Sequence, residues 1–213
     1  MGDFVTLEEL NEVIRLYFGK DEPVEEKIQA LNNLRMLLHE LSPFAQEPAD
    51  CVLWVKAEDV VANNYNPNVM APIEKKLLSQ SLEKDGFTQP IVVSKENNHY
   101  LVVDGYHRQL LSQEHNVVRK RLKGWLPVTC INPERKGLAT RIAATIRHNR
   151  ARGKHQITST SDIVRYLSQL GWSDKRIGIE LGMEPDEVLR LKQITGLAEL
   201  FQGEMFSSAW TVR

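Results

Sequence analysis

Three short stretches of this 213-residue chain gather groups able to hold an anion. The first is Val102-Val-Asp-Gly-Tyr-His-Arg108, where an apolar strand pattern ends, Gly105 permits a tight turn and a helical pattern begins. Backbone N–H groups at such a helix start lack intrahelical partners and favour an anion. Arg108, in the first turn, adds a planar cationic fork suited to phosphate, with Tyr106 and His107 beside it and Asp104 just before. The second stretch is Gly86-Phe-Thr-Gln-Pro-Ile91, in which Thr88, Gln89 and Pro90 lead into an apolar strand as if aimed at a ligand. The third, Ile146-Arg-His-Asn-Arg-Ala-Arg152, packs Arg147, His148, Asn149 and Arg152 into the end of a helix, where a solvated basic terminus favoured by the helix dipole is the plainer explanation. No G-x-x-x-x-G-K-[ST] occurs, so a nucleotide site here is not a P-loop.

The elements that must position these groups follow from periodicity. Leu7, Leu10, Ile14 and Tyr17 recur at helical spacing after Thr6, an N-cap with Glu9 three residues on. A second amphipathic helix begins near Pro23, carries Ile28, Leu31, Leu34, Leu38 and Leu41 on one face, and stops at Ser42-Pro43. The expectation is a helical hairpin over residues 1–48 packed on its own chain, the alternative being a docking surface for a partner. Cys51 to Val55 reads as a strand, and a turn-rich stretch runs through Asn64-Tyr-Asn-Pro67. Glu74 to Lys84 reads as a helix. Pro90 to Ser94 and His99 to Val103 read as a hairpin around Asn97-Asn98, with a helix after Gly105, a strand at Val128 to Ile131 and a helix from Gly137 to His148. Everything from Ser161 on has helical periodicity.

Composition excludes several classes. With 42% hydrophobic and 26% charged residues the chain is an ordinary globular one. No run approaches a membrane span, and the start Met1-Gly-Asp-Phe4 has no secretory pattern, so a cytoplasmic protein is expected, with nucleoid association an option. Cys51 and Cys130 form no Cys-x-x-Cys motif, which argues against zinc and fits two reduced thiols. The net charge of -1 hides a polarity: residues 1–59 hold 13 acidic and 5 basic side chains, while residues 95–155 hold 13 basic and 4 acidic. A basic middle third attracts a polyanion even when the whole is neutral, although a solvated charged face accounts for it equally well.

Taken together, the three stretches resemble the ParB/sulfiredoxin superfamily in order and approximate spacing. Its members carry G-x-x-Q-P-I, G-x-x-R and E-N-x-x-R segments that jointly form a nucleotide pocket; the counterparts here are Gly86–Ile91, Gly105–Arg108 and His148-Asn-Arg-Ala-Arg152. The resemblance implies that the Gly105 turn and Arg108 hold phosphates of CTP or ATP, that Asn149 helps hold Mg2+, and that Arg152 meets the triphosphate. His148 stands where the family has glutamate, which puts hydrolysis in doubt more than binding, because magnesium prefers oxygen ligands; Asp104 is a candidate substitute. Tyr106 occupies the catalytic cysteine position of sulfiredoxins, so sulfinic acid repair is not expected. An NTPase or small-molecule kinase using the same pocket is the enzymatic alternative, with catalytic residues unassigned.

Trp172 to Leu191 fits a helix-turn-helix, with Ile177, Leu181, Val188 and Leu191 apolar where the helices meet, Gly178 small at the crossing and Gly182 in the turn. Glu184, Asp186 and Glu187 in the second helix oppose phosphate, leaving Arg190 and Lys192 as nearby cations. Arg119, Lys120, Arg121 and Lys123 are an alternative source of DNA affinity. The expected class is α+β: a hairpin at 1–48, a small mixed sheet with helices at 49–153 that binds nucleotide, and an all-α helix-turn-helix domain at 154–213. The acidic helical start, Asp50-Cys-Val-Leu-Trp-Val55, Asn64-Tyr-Asn-Pro67, Asp104-Gly-Tyr-His-Arg108 and Phe206 to Trp210 are similar to the family of the prophage-gene coactivator immunoglobulin-binding regulator B. That resemblance implies a DNA-associated regulator and a partner similar to phosphoadenosine-phosphosulfate (PAPS) reductases; a homodimer is also considered. A partition protein would continue past the helix-turn-helix into further helices and a dimerisation domain, whereas this sequence ends soon after Trp210, so a role in segregation is not expected.

Overall fold

The computed structural model describes residues 5–62, 70–132, 138–150 and 157–200, leaving aside the side chains of 138, 141, 148–150, 157–159 and 195–200. Two amphipathic helices, α1 (Leu7–Phe18) and α2 (Val24–Leu41), open the chain. Thr6 and Glu9 form the expected capping box: the Glu9 N–H donates to Thr6 Oγ1 at 3.2 Å, and the Thr6 N–H donates to Glu9 Oε2 at 2.8 Å. That backbone hydrogen bond holds the Glu9 carboxyl below its ordinary pKa.

A five-stranded sheet follows: β1 (Leu53–Lys56), β2 (Val60–Val61), β3 (Ile91–Glu96), β4 (His99–Asp104) and β5 (Trp125–Cys130) in the order β1-β5-β3-β4-β2. β1 runs antiparallel to β5 and β3 antiparallel to β4, while β5 is parallel to β3 and β2 parallel to β4. Asn97, at φ +45°, makes the two-residue turn that joins Glu96 to its partner His99. Central strands read as apolar because both faces are covered: Ile91, Val93, Val102 and Val128 lose all solvent contact.

Four helices lie against this sheet. α3 (Pro72–Lys84), α4 (Tyr106–Glu114) and α5 (Asn116–Leu122) share a small core of Leu82, Leu111 and Val118, and α6 (Leu138–Arg150) packs on β4. The sequence shows no helical signal over 116–122, because only Val118 and Leu122 turn inward amid a basic run. α6 also faces the other way. Its Ile142, Ala143 and Ile146 join α7 (Ile157–Gln169), α8 (Asp174–Leu181) and α9 (Pro185–Leu200) around Val164, Leu167, Ile177 and Val188. One helix thus couples the sheet to the helical C-terminal core.

The hairpin departs from the expectation of a packed pair. None of the residues of α1 is buried, and Leu7, Leu10, Leu16 and Tyr17 remain exposed. On α2, Ile28, Leu31 and Leu34 are half-buried, but Leu38 and Leu41 are exposed. What fixes α2 is polar. Asn32 Nδ2 donates to the Trp54 carbonyl at 2.7 Å and its Oδ1 accepts the Trp54 N–H at 3.0 Å, while Arg35 donates to the Val52 carbonyl at 2.9 Å. These bonds satisfy the outward edge of β1, which would otherwise be open to a foreign strand. Glu25 and Lys56 (2.9 Å) and His39 and Asp50 (2.7 Å) pin the two ends. Among the described residues no helix is long and apolar enough to cross a membrane.

Candidate functional site

β4 delivers the site. Its pattern passes from an exposed His99 to buried Val102, Val103 and Asp104, so the strand sinks into the core and ends on a carboxylate. Gly105 then turns the chain at φ +92° and opens α4 with no side-chain cap. A side chain is disfavoured there: φ lies in the left-handed region, and an added Cβ would stand 2.8 Å from Arg108 Nη2, so the guanidinium would have to move aside. The backbone of the turn is therefore bare, and the Arg108 guanidinium folds back over it.

Arg108 joins two of the three stretches. Nη1 donates to Gln89 Oε1 at 3.0 Å, Nη2 donates to the Pro90 carbonyl at 3.2 Å, and Nη2 lies 3.4 Å from Asp104 Oδ2. Side-chain exposure is 13% for the arginine and 5% for the aspartate, so this cation is held in place rather than waving in solvent. Ion pairing and hydrogen bonds to fixed acceptors offset the desolvation of both charges. Tyr106 and His107 stand edge to face at 5.2 Å on the first turn of α4. Thr88 is exposed beside Gln89. Charge-assisted donors on a bare helix start can bind an oxyanion.

Other expected site residues sit elsewhere. Gly86, at φ +80°, lines a separate cleft of about 460 Å³ with Phe87, Trp54, Trp125, Ile28 and Lys123. Arg147 donates to the Glu180 carbonyl at 2.9 Å and to its carboxylate, tying α6 to α8. His148 and Asn149 belong to the last turn of α6, whose side chains lie outside the description, and Arg152 lies outside the described residues. Asn64 to Pro67 and Phe206 to Trp210 also lie outside them.

Of the basic candidates, Arg121 donates to the Glu83 carbonyl at 2.9 Å and to the Leu82 carbonyl, closing the C-terminus of α3. Lys192 meets Asp174 at 2.7 Å, and Arg190 donates to the Asp186 carbonyl at 3.3 Å. Arg119, Lys120 and Lys123 are exposed on or just after α5. The expected helix-turn-helix is present. The Met183 N–H donates to the Gly178 carbonyl at 2.9 Å, Gly182 adopts φ +63°, and a Cβ on Gly178 would stand 2.8 Å from the Met183 carbonyl oxygen. The proximity of Cys51 and Cys130 is not visible in the sequence: they are 79 positions apart, and they approach each other just beyond the end of the β1–β5 ladder.

The architecture is that of an α+β protein, a small mixed sheet with helices joined to an all-α helix-turn-helix unit. Residues 155–203 match the family described as "IbrB-like C-terminal HTH domain". The chain belongs to the family of the protein YbdM of Escherichia coli (strain K12), with which it is 58% identical over 192 residues, 90% of each chain. Among solved structures, it is similar to the C-terminally truncated chromosome-partitioning protein ParB from Caulobacter crescentus. In the complex with the centromeric parS site the TM-score is 0.46 at 16% identity, over 72% of this chain and 79% of that one. In the complex with CTP-gamma-S the TM-score is 0.39 at 15% identity, over 71% and 86%. C-terminally truncated SbnI from Staphylococcus aureus gives 0.30 at 18% identity, over 47% and 42%.

Proposed function

We propose that this protein is a DNA-associated transcriptional regulator of prophage-type genes whose sheet domain binds a nucleoside triphosphate, CTP or ATP, with Mg2+. The observation that carries the reading is the convergence on Arg108, which gathers Gln89, Pro90 and Asp104 around a bare glycine turn at the start of α4. The fit to a triphosphate is good, since a capless helix start with an arginine fork offers donors to phosphate oxygens. The fit to a metal is weaker: among the described residues no three His, Cys, Asp or Glu side chains are gathered. Magnesium would arrive with the nucleotide and take Asn149 as a protein ligand, neutralising phosphate charge. Arg108 and the Gly105 turn orient the phosphates, and Asp104 orients Arg108.

DNA contact is assigned to the helix-turn-helix, with backbone affinity supplied by Arg119, Lys120 and Lys123. A partner similar to PAPS reductases, a homodimeric state and residence in the cytoplasm complete the reading. Thermal unfolding with ribonucleotides and Mg2+ tests it, because a ligand of the folded state raises Tm by mass action. CTP or ATP raises Tm of the native protein, and Arg108→Ala weakens binding roughly tenfold to hundredfold, the loss expected for charged hydrogen bonds. No shift with any ribonucleotide would refute the reading.

A further inference from the structure

The β1–β5 ladder pairs Leu53 with Val128 and Val55 with Leu126. Carried two residues further, the same register sets Cys51 opposite Cys130. Cys51 is extended, at φ -126° and ψ 108°, so the chain keeps the strand's course there. An independent contact places the preceding turn on the end of β5: the Thr129 hydroxyl donates to the Pro48 carbonyl, which also accepts the Cys51 N–H at 3.3 Å. Facing residues of an antiparallel pair share one side of the sheet, and Cys130 packs against the sheet core on that side. Trp54 turns its N–H and C=O outward to Asn32, so Leu53–Val128 and Val55–Leu126 are the hydrogen-bonded pairs of this ladder. Beyond Leu53 the Cys51 N–H bonds Pro48 instead, and a disulfide requires the two cysteine Cα atoms to come within about 7 Å.

We propose that Cys51 and Cys130 are a reversible disulfide site that takes a two-electron oxidant such as hydrogen peroxide, and that its closure clamps α2 to the sheet. Both thiols are half-buried and uncoupled in this structure. Burial raises the pKa of each; at Cys51 Arg35 opposes it and Asp50 adds to it, while at Cys130 Lys95 opposes it and charge on Cys51 adds to it. Cys51, which is not packed on the sheet core as Cys130 is, is taken as the attacking thiol. Its sulfur takes one peroxide oxygen to give a sulfenic acid, and the other oxygen leaves as water. The Cys130 sulfur then attacks the Cys51 sulfur, the S–S bond forms, and the hydroxyl leaves as a second water. Two thiols are oxidised by two electrons and one peroxide is reduced; a thiol such as glutathione reverses the bond by exchange. The bond has leverage because Asp50, Val52 and Trp54 are the residues that His39, Arg35 and Asn32 of α2 grip.

Peptide mapping of the full-length protein without reductant, after stoichiometric peroxide, tests the bond. The expected product is a monomer with one Cys51–Cys130 crosslink, absent in Cys51→Ser, Cys51→Ala and Cys130→Ala and undone by glutathione. Hydrogen exchange at residues 52–55 and in α2 slows by about tenfold or more in the crosslinked protein. Intermolecular disulfides, a sulfinic acid without a crosslink, or a crosslink that leaves exchange unchanged would overturn the proposal. The readouts use no nucleotide, so the result is independent of the ligand reading above.

Discussion

Two helix starts in this molecule face opposite electrostatic fates. α4 opens on a glycine, has no acidic residue in its first turn, and receives a guanidinium folded over its backbone. α9 opens on Pro185 with Asp186 and Glu187 in its first turn and an exposed Glu184 just ahead. Both present the positive end of a helix dipole, but α9 has already neutralised its own with carboxylates, which stabilises the helix and repels phosphate. α4 carries no such carboxylate in its first turn. Position in the C-terminal half of a helix-turn-helix therefore does not make α9 the better polyanion site; the chemistry of the first turn favours α4. The two regions also differ in what glycine does. At α4 it clears space for a cation, whereas Gly178 clears space for the backbone of the helix-turn-helix turn.

Breaking the comparison at each glycine should separate the two regions. The largest effect is expected for Gly178→Ala, whose Cβ meets a carbonyl oxygen that cannot move without the turn. A loss of about 2–3 kcal/mol in denaturant unfolding is expected, typical of overpacking, together with loss of DNA binding and an unchanged nucleotide-induced rise in Tm per mole folded. Next comes Gly105→Ala, which costs about 1–2 kcal/mol for the left-handed backbone and displaces Arg108. Here the nucleotide response should vanish while the far-ultraviolet signature of the helical core persists. If both variants lose both functions equally, the regions are not separable.

Smaller changes sharpen the contrast. Glu184→Gln with Asp186→Asn should raise nonspecific DNA affinity only a few-fold, roughly threefold at low salt in fluorescence anisotropy, since exposed charges are screened. An unchanged affinity would place α9 away from the DNA altogether. The smallest effect lies in the N-terminal clasp. The hydrogen bond from His39 holds the Asp50 carboxyl below its ordinary pKa. A depressed carboxylate contributes stability that is present above the unfolded value, about 4, and is lost as pH falls through the folded one. Asp50→Asn should therefore melt lower than the native protein at neutral pH, and the gap should close in acid; a gap that persists there would mean the carboxylate charge is not what matters.

Much of this was legible in the primary structure because the signals are local. Thr6 with Glu9, Asn97 in its hairpin, Gly105 between strand and helix, and Gly178 with Gly182 each act over a few residues, where one side chain or its absence decides φ. Helix α5 was hidden because a basic run of seven residues with two inward side chains has almost no periodicity. The roles of Arg121 and Arg147 were hidden for another reason. Sequence displays a cation but not the acceptor it finds, and carbonyls of Leu82, Glu83 and Glu180 captured two arginines that looked available. The exposure of α1 was equally out of reach, since amphipathic periodicity marks a face that wants cover without saying whether this chain supplies it.

The central claim is tested most directly by following backbone amide resonances while CTP or ATP with Mg2+ is added to the native protein. Shifts are expected to concentrate at residues 88–91 and 104–108, with the end of α6 responding and the first turn of α9 silent. Shifts confined to the helix-turn-helix, or a spectrum that does not change at millimolar nucleotide, would contradict it.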